Sequence, residues 1–346
     1  MAERPAPLVL VASPSQDPPF GSYAAVSAAG QQLLAAELSQ RFGRLGAAVL
    51  PLRAERTESF HWGAWFVAGA RASQAVDDGG VDAIGYAGAG SLALLADEHL
   101  DDLLSPLAGE VVANNRFSAD AFVVAGDLEL ALRALEGCSS DNAAARCLES
   151  AGFKVRDLAA VPFSRFDVDT PLDLAILRLA TRLPQSRGLE PGLARFLEMA
   201  LLPGGRALEV PRLAEIGAIM RDQGAELVVS GRVPADAWQY LERETASRVR
   251  CFIEERGMRS ARGARPRSLL AALLARSSPA ELVAELSRLG DAVVLDSRVL
   301  MAARAGSAEA SAWPPQEDRF AADFGDASRI GTDWLRELVE AAAAPP

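Results

Sequence analysis

Asp167 and Asp169 stand two residues apart in the stretch F-S-R-F-D-V-D-T-P-L-D-L-A (163–175). In an extended segment, side chains two apart project to one face. Two carboxylates so placed suit a hard cation such as Mg²⁺, which commonly takes one or two protein carboxylates beside substrate phosphates. At the carboxyl end of a strand, that face opens on the crevice where α/β proteins bind ligands. The chemistry implied is phosphoryl transfer, in which fixed charge stabilises the developing charge of the phosphate. The same stretch also reads as a helix start. Thr170 is a good N-cap, Pro171 suits the first helical position, and Asp173 lies three residues past the cap. Capping accounts for Thr170, Pro171 and Asp173, and it does not require Asp167 or Asp169.

A second polar concentration is N-N-R-F-S-A-D (114–120), between two apolar runs. A turn explains it, since Asn, Ser and Asp favour turns. Its alternative is a substrate-binding edge made of Asn114, Asn115, Arg116, Ser118 and Asp120. A third set lies at three strand ends in the C-terminal half: Ser230 and Arg232, then Glu254, Glu255 and Arg256, then Asp296 and Arg298. In a parallel sheet these ends gather at one rim, where interleaved acid and guanidinium suit an anionic or hydroxylated ligand. An inter-strand ion-pair network is the plainer reading. H-W-G-A-W (61–65) places His61 between aromatics, with Trp62 and Trp65 three apart on one helical face. Core packing or a helix start is the main expectation there, and a base-stacking aromatic is the alternative. M-R-S-A-R-G-A-R-P-R (258–267) reads as a phosphate clamp or as a basic joint.

The elements that must position these residues alternate. LVLVA (8–12), AAVLPL (47–52), VDAIGYAG (81–88), EVVAN (110–114) and DAFVVAG (120–126) read as strands. Helical periodicity lies between them and again after T-P. Gly152 closes one helix as a C′ residue. Strands alternating with helices imply a mainly parallel sheet covered on both faces. L-P-Q-S-R-G-L-E-P-G holds the expected boundary, giving a first domain at 1–183, a linker at 184–192 and a smaller α/β domain at 193–346. The second domain is expected to run as a helical span over about 193–223, the strand ELVVSGR, further helix and strand, and a loop-like stretch over 304–328 before a last helix. Its ending on A-A-A-A-P-P fits a truncated domain.

Composition narrows the classes. Net charge is −11, so the basic footprint that phosphate neutralisation demands of a nucleic-acid binder is missing. Lys154 is the only lysine among 35 basic residues. That bias is expected of GC-rich coding, and it makes any one arginine weaker evidence for an anion clamp. No apolar run reaches the roughly 18–20 residues of a membrane helix. The apolar N-terminal run is short for a signal peptide, and Glu3 stands where positive charge is expected. A cytoplasmic protein is therefore expected. Cys138, Cys147 and Cys251 lack metal or redox spacing and read as free structural thiols, and two histidines are too few for a histidine-rich metal site.

F-D-V-D-T-P-L-D-L-A resembles the D-[IV]-D-T-P-x-D-L signature of GT-A-like nucleotidyltransferases, among them the 2-phospho-lactate and molybdenum-cofactor guanylyltransferases. A-N-N-R-F-S-A-D-A-F-V-V (113–124) is similar to a strand and turn of the former group. The resemblance covers about residues 5–183. It implies a GT-A (Rossmann-like) fold, a nucleoside triphosphate or small phosphorylated metabolite as partner, Mg²⁺ as cofactor, and Asp169, with Asp167 beside it, as metal ligand and catalytic residue. Asn114–Arg116 would then contact the acceptor. The family's glycine-rich phosphate loop has no counterpart in S-P-S-Q-D-P-P-F-G-S-Y (13–23). Its mid-domain acid has none in I-G-Y-A-G-A-G-S-L-A-L-L (84–95). The sequence therefore leaves two readings: a nucleotidyltransferase passing NMP to a phosphorylated acceptor, or an inactive scaffold or metabolite sensor whose working surface is the second domain. A weaker third reading places the chemistry at the rim of Arg232, Glu254 and Asp296. A homo-oligomer is compatible with each.

Overall fold

The computed structural model describes residues 6–14, 18–53, 60–73, 80–183, 187–254 and 265–344. They form two compact units, Met1–Glu209 and Val210–Pro346.

In the first unit, β1 (Leu8–Ser13), β2 (Ala48–Arg53), β3 (Ala83–Ala87), β4 (Glu110–Ala113), β5 (Ala121–Ala125) and β6 (Lys154–Asp157) build one sheet in the order β2-β1-β3-β5-β4-β6. β5 alone runs antiparallel, paired with β3 on one side and β4 on the other. This reversal matters for the site, because β5 begins at the edge where β3 and β4 end.

Period two sorts the core. Leu8, Leu10, Ile84, Tyr86, Phe122 and Val124 pack on one face. There they meet α2 (Trp62–Arg71), α4 (Leu128–Glu136) and α5 (Ala144–Ser150). Val9, Val11, Ala83, Val112 and Val123 pack on the other, against α1 (Tyr23–Arg44) and α3 (Asp97–Leu103). Burial on both faces is why these strands read as continuous apolar runs. α6 (Pro171–Ala180) carries the expected cap. Thr170 Oγ1 accepts from the Asp173 amide, the Asp173 carboxylate accepts from the Thr170 amide, and Pro171 opens the helix.

The first unit runs past the boundary expected at 184–192. α7 (Pro191–Met199) buries Leu193 and Leu197 and packs on α1. The polar connection before it is tied to α1: Arg187 pairs with the buried Glu37 carboxylate at 2.5 Å, and the Glu190 amide donates to it at 3.2 Å. The helical span expected to about residue 223 is interrupted by a hairpin of β7 (Leu201–Leu202) and β8 (Arg206–Ala207). Gly204 and Gly205 turn it at φ +78 and +76, where a side chain would be strained.

In the second unit, β9 (Glu226–Gly231), β10 (Arg248–Ile253) and β11 (Ala292–Asp296) form a parallel sheet in the order β10-β9-β11. Around it lie α8 (Leu213–Arg221), α9 (Ala235–Glu244), α10 (Leu269–Leu274), α11 (Pro279–Ser287), α12 (Arg298–Ala305), α13 (Gln316–Asp323) and α14 (Asp333–Ala343). The stretch 304–328, expected as loop, contains α13. That helix buries Phe320 and Asp318, and Asp318 accepts from the Thr332 amide and hydroxyl.

Cys138 and Cys147 are disulfide-paired, with Cα atoms 6.9 Å apart. The free-thiol reading therefore holds for Cys251 alone. Among the described residues no helix is long and apolar enough to cross a membrane.

Candidate functional site

Three segments meet at the edge of the first sheet where β3 and β4 end and β5 begins. They are the turn Gly88–Ser91 after β3, the turn Asn114–Asp120 joining β4 to β5, and the segment Asp167–Asp169 before α6. The Gly88 amide donates to the Asp120 carbonyl at 2.8 Å, and the Val168 amide donates to the Gly90 carbonyl at 3.2 Å. Two glycines of A-G-A-G-S thus hold the other two segments through backbone contacts. Gly88 would accept a Cβ at ordinary contact distance, 3.4 Å from the Asp120 carbonyl. Gly90 would not, since its Cβ would stand 2.3 Å from the Val168 carbonyl oxygen.

Asp167 and Asp169 are not in a strand. They lie in irregular backbone clamped from behind by α1, where Gln31 donates to the Val168 carbonyl at 2.8 Å and Ser27 to the Asp169 carbonyl at 3.1 Å. Val168 between them is completely buried. Asp167 is half-buried and Asp169 is exposed. Two of the three non-glycine residues with positive φ among the described residues border this region: Leu92 (φ 60) just after the glycine turn, and Phe163 (φ 63) just before the aspartates. Such strain persists only where surrounding structure imposes it, and it concentrates at working sites.

The carboxylates repel one another. Burial pushes Asp120 up to about 7, the Asp141 and Asp169 charges add to the rise, and the amide of Asn114 opposes it. Burial likewise holds Asp167 well above the ordinary carboxylate range, reinforced by Asp169, Asp120 and Asp173, with a backbone hydrogen bond from Val168 opposing. Desolvation and like charge act in the same direction here. The glycine turn contributes no acid, and the carboxylate coupled to Asp167 and Asp169 from the facing turn is that of Asp120. Among the described residues no three acids, histidines or cysteines are arranged as a group able to hold a metal ion. Mg²⁺ needs fewer, since one or two carboxylates suffice when waters and substrate phosphates complete its shell.

Of the residues read from N-N-R-F-S-A-D, Asp120 alone joins this charge cluster. Asn114 is 1% exposed, and its side chain is spent on local structure. Its amide donates to the Ser164 carbonyl at 3.1 Å and to Asp120 at 3.5 Å, while its oxygen accepts from the Ala121 amide at 3.0 Å. It positions Asp120. Asn115 caps the turn, accepting from the Phe117 amide at 3.1 Å. Arg116 turns to Glu149 at 2.5 Å, and Ser118 bonds to Asn142. Asp141 and Tyr86, linked at 3.3 Å, belong to the surroundings of Asp120 and went unread in the sequence. The signal available for Asp141 was the S-S-D-N run, which resembles an ordinary helix cap. His61 caps α2 by accepting from the Ala64 amide, and Trp62 stacks on Phe66 in the core, which is the expected structural role.

The second unit brings Arg232, Glu254 and Asp296 to the carboxyl ends of its three parallel strands. Glu254 accepts from the Leu269 and Leu270 amides at 2.6 and 3.2 Å, capping α10. Asp296 accepts from the Arg298 amide and guanidinium. Ser230 sits mid-sheet, fully buried, and its hydroxyl has no hydrogen-bond partner among the described residues. Glu255 and Arg256 lie outside the described residues, as does most of the Arg-rich stretch near 259–264. The rim is thus partly a local ion-pair and capping network. Comparison with known proteins adds no relative, for no family model and no curated protein matches the chain.

Proposed function

We propose that the first unit binds a nucleoside triphosphate or a similarly phosphorylated metabolite with Mg²⁺ in the crevice bordered by Asp120, Asp167 and Asp169, and acts as a nucleotidyltransferase on a small phosphorylated acceptor. One observation carries this reading: mutually repelling, partly desolvated carboxylates gather at the carboxyl edge of an α/β sheet, where such folds bind ligands, on elements whose sequence has the D-V-D-T-P-x-D-L signature. Clustered negative charge of this kind is a liability for the fold and an asset for a cation. Asp169 and Asp167 would hold the ion and Asp120 would face it. The ion would supply Lewis-acid neutralisation of the phosphate charge. The chain's own contribution is positional. α1 and the Gly88–Ser91 turn fix the D-V-D backbone, and Asn114 fixes Asp120.

Isothermal titration with GTP, CTP and ATP in the presence of Mg²⁺ tests the reading. Saturable binding of at least one nucleotide is expected, with loss in Asp169→Asn. Absence of binding by all three, or binding that Asp169→Asn leaves untouched, removes it.

A second reading, a scaffold or metabolite sensor working through the second unit, is favoured by one observation. The second unit contains an apolar cavity of about 340 Å³ beside its strand ends. Nucleotide turnover that disappears in Asp169→Asn would count against it.

A further inference from the structure

The disulfide between Cys138 and Cys147 bridges a sequence separation of 9 and closes the connection between α4 and α5 into a loop. Its first post is fixed. Cys138 is 1% exposed just past the end of α4, and its carbonyl accepts from the Gly63 amide of α2 at 3.0 Å. A Cβ at Gly63 would stand 2.8 Å from that carbonyl oxygen and 2.1 Å from that of Leu135, so α2 and the end of α4 are in close backbone contact. The second post, Cys147, is half-buried on α5, whose Ala144, Ala145 and Leu148 are buried.

What the loop carries reaches the candidate site. Asp141 accepts from the Tyr86 hydroxyl at 3.3 Å, and its charge is among those acting on Asp120. Asn142 accepts from the hydroxyl of Ser118, in the turn Asn114–Asp120. Two positions past Cys147, Glu149 pairs with Arg116 of the same turn at 2.5 Å. The turn that presents Asp120 is therefore tied by side chains to the closed loop and to the helix carrying its second cysteine. Between the two cysteines the chain forms a short 3-10 turn at Asp141–Ala143 before α5 begins. No residue from Ser139 to Ala143 is buried. Packing thus does little to fix this stretch, and the cross-link is what limits its freedom.

We infer that Cys138–Cys147 is a redox switch of the candidate site: reduction by a dithiol frees the loop, releases Asp141 and Asn142 from Tyr86 and Ser118, and loosens the turn that presents Asp120. Only the consequence for ligand binding rests on the nucleotide reading; the coupling of bridge to turn does not. A thiolate of the reductant attacks Cys147 Sγ, on the more exposed of the two residues. The S–S bond breaks, and Cys138 leaves as a thiolate that takes up a proton. The second thiol of the reductant then displaces Cys147, gives up its proton to it and closes the reductant's own disulfide. Two electrons pass from the dithiol to the protein. The Cys138 thiol so formed has an acceptor in place, because the Ala134 carbonyl lies 3.6 Å from its Sγ. The reduced state therefore needs no rearrangement of α4, and the change falls on the loop.

Dithiothreitol is the probe, added to the folded full chain. Alkylation and mass spectrometry should find Cys251 alone reactive before reduction and Cys138 and Cys147 released after it, with a cooperative melting transition retained. Amide hydrogen exchange over residues 114–122 should then quicken, while β1 keeps its protection. Cys147→Ser should reproduce the reduced pattern and ignore dithiothreitol; reduction of the parent carries the test should that variant not fold. Calorimetric titration of the nucleotide with Mg²⁺ should show affinity about tenfold weaker in the reduced protein, a coupling of ordinary size. Three outcomes overturn the inference: thiols released only when the chain unfolds, unchanged exchange over 114–122 in the reduced protein, or equal nucleotide affinity in the two redox states. Absence of nucleotide binding in both states removes the nucleotide reading instead, and the exchange measurement still decides the switch.

Discussion

Val168 and Gly90 are in backbone contact at the centre of the candidate site. The Val168 amide donates to the Gly90 carbonyl at 3.2 Å, and the Val168 carbonyl oxygen fills the space where a Gly90 side chain would begin. The two aspartates on either side of Val168 take their positions from that contact. Glycine at position 90 is therefore a packing requirement, since its φ lies outside the left-handed region.

Gly90→Ala should displace the D-V-D backbone and cost about 3 kcal/mol, the upper range for overpacking. That corresponds to a fall of roughly 9 °C in the melting temperature of a unit this size. Gly88→Ala, whose Cβ meets only an ordinary contact at 3.4 Å, should melt within a degree or two of the parent. Equal melting temperatures for the two variants would refute the packing argument.

The carboxylate cluster predicts how stability changes with pH. Asp120 is raised from 3.8 to about 7 in the native state. As pH rises from about 4 to about 7, the unfolded chain releases this proton while the native state retains it. The unfolded state then binds fewer protons, so stability falls through that window and levels off above it. Asp120→Asn removes the penalty and keeps an oxygen for the Asn114 amide. Urea denaturation at pH 4.5 and pH 8 should show the variant near the parent at the lower pH. At the higher pH it should be more stable, by on the order of 4 kcal/mol at most. An unchanged pH profile would place the repulsion elsewhere.

How far the sequence disclosed this depends on the kind of signal. The cap at Thr170, Pro171 and Asp173 was fully legible because capping is local, with every partner within three residues. The first sheet was legible because strands buried on both faces leave continuous apolar runs. Asp120 was readable as polar residue density, but its partnership with Asp167 was not, because β5 runs antiparallel and no local spacing announces that reversal. That α7 falls in the first compact unit was hidden for a similar reason. Its tether is Glu37, some 150 positions earlier in the chain, while the connection itself has the proline, serine and glycine of an ordinary linker.

Thr170→Ala separates the two meanings of D-V-D-T-P. It removes the hydroxyl that accepts from the Asp173 amide at 3.2 Å and should cost about 1 kcal/mol. Asp167→Asn should instead stabilise the fold at neutral pH, because burial and neighbouring charges disfavour its ionised form. Opposite signs from residues three apart would show that capping uses Thr170 and not Asp167. A loss of stability in both would mean that Asp167 is also a structural acceptor.

Glu37 gives the last prediction, and it connects the α7 tether to the candidate site. Its carboxylate is 3% exposed and pairs with Arg187, whose guanidinium also donates to the Ala93 carbonyl. One helical turn on, Arg41 is 1% exposed, bonds to Asp97 at 2.8 Å, and donates to the carbonyls of Leu92 and Leu95. Two guanidiniums thus hold the chain just after the glycine turn, and Glu37 balances the charge of one of them. Glu37→Gln removes the buried carboxylate that faces the partly buried Arg187 and the buried Arg41, and should cost about 3 kcal/mol. The double variant Glu37→Leu/Arg187→Leu removes both charges and should recover most of that loss. Because Leu92 carries the strained backbone beside the turn, Glu37→Gln should also weaken the proposed Asp169-dependent nucleotide binding, with Asp120, Asp167 and Asp169 themselves unchanged. Thermal unfolding of the three proteins decides the point: a double variant as unstable as Glu37→Gln would show that the pair matters for packing and not for charge balance.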